Sequence, residues 1–126
     1  MSKTKLQKQH YDCPTETYTR TVDGNVFEVV MPLFDGPRID LGYEYNNPDF
    51  WESHFEKDSG GAAQIAAAKR QFTDMGYDVK GKAAHHLPSN PGECHIQLVD
   101  AAEHKNTPHY GGMSINNDTW LRKHLK

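Results

Sequence analysis

Between Lys82 and Pro108 the chain is punctuated so closely that only short elements fit. Lys82 to Leu87 (KAAHHL) and Cys94 to Val99 (CHIQLV) each read as a short strand. Pro88 to Gly92 (PSNPG) supplies the turn that joins them into a hairpin. Asp100 then stands where a helix N-cap belongs, with Glu103 at the third helical position, a capping-box arrangement. Pro108 has no N–H to donate and must stop or kink that helix within two turns. Upstream, Ala62 to Met75 (AAQIAAAKRQFTDM) is the clearest helix of the chain, Ala-rich and ended by Gly76. The order is helix, hairpin, short helix, which places the chain in the α+β class.

The remaining elements are marked more weakly. Asn25 to Pro32 (NVFEVVMP) is rich in β-formers and reads as a strand, and Asp35-Gly36-Pro37 as a turn. Asn46 to Pro48 breaks the chain again. Asp49 to Lys57 then offers Phe50, Trp51 and Phe55 to a short helix. A last helix is expected from about Asn117 to Leu125, carrying Trp120. The polar stretch from Met1 to Asp23 is weakly patterned and reads as an arm. The 126 residues therefore divide into an arm over 1–24 and one domain over 25–126, whose core is modest at 36% hydrophobic content.

Charge and cysteine usage narrow the partners. The formal net charge is −3, which argues against unaided nucleic-acid binding, so a local basic patch or a bound cation would have to compensate. No run of 18 apolar residues exists, and no apolar run follows Lys3, Lys5 and Lys8 as a signal peptide requires. The expectation is a soluble chain, or one cut from a larger protein. Cys13 and Cys94 are far apart and outside any metal-binding spacing, so both are expected as free thiols.

Five of the eight histidines fall between positions 85 and 109: His85, His86, His95, His104 and His109. Neutral imidazole is the commonest side-chain metal ligand. Three imidazoles from adjacent elements can hold one divalent ion and leave positions open for water and substrate. Successive strand residues point to opposite faces, so His85 and His86 cannot be twin ligands on a regular strand; one could bind metal while the other faces a substrate water. His104 and His109 would lie about 140° apart on a continuous helix, a poor chelating pair. Pro108 and Gly111-Gly112 imply a break that could swing His109 back. His10, His54 and His124 stand alone and read as solvent or boundary residues.

The run from Ala66 to Gly112, AAAKRQFTDMGYDVKGKAAHHLPSNPGECHIQLVDAAEHKNTPHYGG, resembles the HNH/endonuclease VII superfamily. It is most similar to the WHH-type nuclease domains of bacterial polymorphic toxins. The shared order is a helix, a Gly-containing link, a His-His pair, a turn, a strand reading QLV, two further histidines and Gly-Gly. Pro48-Asp49-Phe50 also looks like a recurrent piece of such toxins. The likeness covers roughly the C-terminal two thirds and is specific around 84–112.

The resemblance implies a ββα-metal (His-Me finger) core at about 82–112, with additional helices and an N-terminal strand region. It implies His86 as general base and His85, His104 and His109 as ligands of one divalent ion: zinc, nickel, manganese or magnesium. Ala84 stands where the named branch has Trp, and His95 where HNH DNases of the colicin type have Asn; His95 is kept as a structural contact near the site. Lys82, Lys105 and Arg70 are the expected substrate contacts, with Lys69, Lys80 and Arg122 as further positive charge. The implied activity is DNA phosphodiester hydrolysis by the toxic domain of a secreted antibacterial effector. Such a domain acts in the cytoplasm of a rival cell and is held in check at home by a cognate immunity protein. A phage or mobile-element HNH endonuclease and a non-catalytic His-rich metal-binding module are the alternatives.

Overall fold

A computed structural model describes residues 2–45, 62–89, 92–115 and 118–124. The expected helix over 49–57 and the Pro48-Asp49-Phe50 piece lie outside the described residues, as does part of the 88–92 turn. The described chain is mixed α+β, with two three-stranded sheets and a few helices.

The first sheet contains β1 (Ser2–Gln7), β2 (Thr15–Val22) and β3 (Asn25–Pro32), with β3 in the centre. The first 24 residues therefore contribute two strands where the sequence reading expected an arm. β2 and β3 are joined by Asp23-Gly24, both at positive φ (52° and 79°), the backbone that a tight two-residue hairpin demands. β1 pairs parallel to β3, which brings Leu6 opposite Val29. Alternate residues of β3, namely Phe27, Val29 and Met31, are buried with Leu6 and Val22. Ile115 of α3 (Gly112–Ile115) and Leu121 of α4 (Asp118–Arg122) complete that core. Arg20–Asp118 (2.9 Å) and Arg122–Asp23 (2.7 Å) ion pairs fasten α4 to this sheet.

The second sheet is antiparallel, with β6 (His95–Asp100) between β4 (Arg38–Asp40) and β5 (Lys82–His86). The expected hairpin and its flanking helix form as the sequence indicates. α1 (Ala62–Asp74) buries Ala68 and Phe72 against Ala84, Ile96 and Leu98 on one face of the sheet. α2 (Ala101–Asn106) begins at Asp100, whose carboxylate accepts from the Glu103 N–H at 2.9 Å, and it ends before Pro108.

The other face of this sheet carries the residues of interest. Cross-strand pairing sets Arg38, Gln97 and His85 in one row across β4, β6 and β5. The segment after β3 is strapped over this row. Gln97 donates from Nε2 to the Phe34 and Gly36 carbonyls (2.7 and 3.1 Å), and Leu98 N–H donates to the Pro37 carbonyl at 2.9 Å. Gly36 has φ 146°, and a Cβ there would lie 1.8 Å from the Leu98 carbonyl oxygen, so only glycine fits.

Candidate metal centre

His85, His104 and His109 converge from three places: strand β5, the last turn of α2, and the loop that follows. Each offers one ring nitrogen, and these atoms all lie within 4.8 Å of one another. The three ring centroids form a nearly equilateral triangle of 4.8–5.0 Å sides, with rings inclined 66–77° to one another. His85 Nδ1 and His104 Nε2 are 3.1 Å apart. Tetrahedral ligation at zinc–nitrogen distances sets ligand nitrogens roughly 3.3 Å apart, so a shared ion requires only small ring movements.

Backbone geometry accounts for the convergence. α2 stops at Asn106, and Thr107 takes φ −118°, ψ 87°, so His109 does not continue the helix. The chain turns back towards β5. Tyr11 donates its hydroxyl hydrogen to the Pro108 carbonyl at 2.7 Å and pins the turn to the N-terminal sheet region. Gly112 then presses against the end of β5, where a Cβ would lie 2.4 Å from the His86 carbonyl oxygen. The break expected at Pro108 and Gly111-Gly112 is what lets His109 face His85.

The triad is dry on one side. Phe34, itself buried, sets its ring 5.1 Å from His85 and 5.6 Å from both His104 and His109. His85 is 2% exposed, and its pKa is pushed down to about 3. Burial is the main cause, followed by His109, His104, His86 and Arg38. His104 is lowered in the same direction, by burial and then by His109. His109 donates its Nδ1–H to the Thr107 carbonyl at 2.7 Å, which leaves Nε2 as the ring nitrogen turned away from that bond. Three imidazole nitrogens within 4.8 Å of one another are a donor set that a borderline transition metal takes, so the residues fit such an ion.

His86 points to the opposite face of β5, towards α1. Its Nε2 lies 2.8 Å from Oε1 of Gln64. Gln64 is buried and donates its own Nε2–H to the Tyr45 carbonyl, which turns Oε1 towards the histidine. With Oε1 as the acceptor, His86 donates through Nε2–H. His95 lies on β6, half-buried, with its ring 3.6 Å from Glu93. Together with Asp40 and Glu93 it forms a second group within ligand distance, built on carboxylates and not on facing imidazoles. The Asp40 carboxyl is held below its usual range by the Cys94 and Gly42 N–H groups.

The three expected substrate contacts are exposed but scattered. Lys105 follows His104 directly; Lys82 and Arg70 belong to the β5 register and helix that serve the face opposite His85. A cleft of about 400 Å³ instead opens at the end of β5, lined by Arg20, Arg38, Ser89 and His95. Sequence reasoning missed Phe34, Gln64, Gln97, Arg20 and Arg38. None has a local motif; each acquires its place through strand pairing or a long-range contact. Both cysteines are free, and burial pushes the Cys94 thiol up to about 12. No helix among the described residues is long and apolar enough to cross a membrane. Compared with protein-family models, with curated proteins and with solved structures, the chain matches none.

Proposed function

We propose that this chain is a metal-dependent nuclease of the HNH type, with β5, β6 and α2 as its ββα-metal core. One observation carries the reading: three imidazoles, His85, His104 and His109, converge on one point while the neighbouring His86 is held separately by Gln64. In this proposal the three are the ligands of one divalent ion and His86 is the general base. The ion would neutralise a phosphate and stabilise the leaving oxygen. His86 would take a proton from the attacking water, while Gln64 holds the ring through Nε2–H. In this proposal Arg20 and Arg38, each paired with a carboxylate (Asp118 and Glu16) and lining the cleft, would contact the flanking strand's phosphates.

DNA is the proposed substrate. The biological setting in the proposal is the toxic domain of an antibacterial effector, delivered into a rival cell's cytoplasm and paired with an immunity protein in its producer. Plasmid cleavage with and without chelator, on wild type and His86→Ala, tests the activity. Cleavage that needs metal and is lost in His86→Ala supports it; no cleavage by wild type with any of zinc, nickel, manganese or magnesium overturns it. The orientation of His86 towards α1, away from the triad face, favours one second reading, a metal-binding module without catalysis. Tight zinc binding with no cleavage would select it.

A further inference from the structure

Gln97 is 2% exposed and stands directly opposite His85 in the antiparallel register. Leu87 N–H donates to the His95 carbonyl, so His85 and Gln97, two residues further along each strand, also form a hydrogen-bonded pair whose side chains rise from the same face. Both hydrogens of the Gln97 amide nitrogen are spent on the Phe34 and Gly36 carbonyls. That fixes the amide's orientation and leaves Oε1 as the end with acceptor capacity. Among the described residues, Gln97 Oε1 is a buried side-chain atom with no hydrogen-bond partner. A buried carbonyl oxygen without a donor is unfavourable until a donor reaches it.

A neutral imidazole that gives one nitrogen to a metal carries its hydrogen on the other. Ligating histidines commonly donate that hydrogen to a fixed acceptor, which sets the tautomer and raises the ligand's basicity. His85 is buried and stands opposite an acceptor with nothing to accept. We infer that Gln97 is a positioning residue of the metal centre: its Oε1 accepts the ring N–H of His85 when the three imidazoles turn onto an ion. The same amide holds the Phe34 loop with its nitrogen, so one side chain sets both the ligand's tautomer and the apolar wall behind it. This inference rests on the reading of His85, His104 and His109 as a metal site; it does not depend on nuclease activity.

Zinc titration by calorimetry on wild type, Gln97→Met and Gln97→Glu tests it. Gln97→Met removes acceptor and donors; Gln97→Glu keeps an acceptor oxygen and loses the donors. The expected result is a roughly 10–100-fold weaker zinc site in Gln97→Met, with Gln97→Glu within a few-fold of wild type. Equal losses in the two variants would assign Gln97 to loop clamping alone and overturn the inference, as would unchanged affinity in Gln97→Met. A second readout needs no variant to fold: in zinc-loaded wild type labelled with ¹⁵N-histidine and ¹³C-glutamine, the His85 ring N–H should exchange slowly and couple across the hydrogen bond to the Gln97 side-chain carbonyl carbon. A ring proton that exchanges with solvent as fast as free imidazole overturns the inference. Failure of the wild type to bind zinc at all would be a different result, since it removes the metal centre itself.

Discussion

Acidification should destabilise the metal-free protein through His85, and the size of the effect follows from its burial. The ring is 2% exposed and its pKa falls from 6.5 to about 3 on folding. The unfolded chain therefore takes up a proton that the folded chain refuses. Stability rises with pH wherever the unfolded state binds more protons. The contribution is fully present above pH 6.5, declines as pH falls, and stops declining near pH 3. One proton changes stability by roughly 1 kcal/mol or a little more per pH unit, so the loss at pH 4.5 is on the order of 2–3 kcal/mol relative to neutral pH. His104 is lowered too and adds in the same direction. Urea unfolding at steps from pH 7 to pH 4.5, with chelator present throughout, measures the slope. His85→Gln keeps a polar side chain of similar size without the titration, and its slope should be shallower by about one proton. Equal slopes in wild type and His85→Gln would refute the argument, because the acid sensitivity would then come from elsewhere.

Other perturbations separate binding from architecture. His104→Ala and His109→Ala should each abolish the tight zinc site seen by calorimetry, since each removes one of three facing imidazoles. His86→Ala should leave zinc affinity nearly unchanged and lower the DNA cleavage rate about 10²–10⁴-fold; loss of zinc binding in that variant would make it a ligand instead. Gly112→Ala should cost about 1–3 kcal/mol in denaturant unfolding, because the new methyl meets the His86 carbonyl at 2.4 Å and backbone must move. Asp100→Ala should cost about 1 kcal/mol by removing the cap that starts α2.

The stretch from Ala62 to Asn106 was legible because its signals are local. A helix former run ending before Gly76, two paired β-forming runs, and Asp100 as N-cap all appear where these residues put them. The first 24 residues were not read as strands, although Asp23-Gly24 is a strong two-residue hairpin signal and Thr15–Val22 alternates β-branched residues. The alternation there is between exposed and half-exposed positions, not between apolar and polar ones, so a hydrophobic pattern was absent. β1 is a parallel partner of β3, and parallel pairing leaves no turn signature between neighbours.

By itself the sequence determined that His85 and His86 face opposite sides of a strand, because side-chain direction alternates with period two. It also determined that a helix starting at Asp100 could not reach His109 intact, because Pro108 lacks an N–H. Only the tertiary structure decided where His109 went after that break. The return depends on Tyr11 holding the Pro108 carbonyl and on Gly112 seating against His86, contacts that span 97 and 26 residues of chain. Likewise only the fold placed Phe34 against the three imidazoles and left Gln97 opposite His85 with an unused acceptor. Such placements are set by strand register and close packing among residues distant in sequence, and no local propensity encodes either.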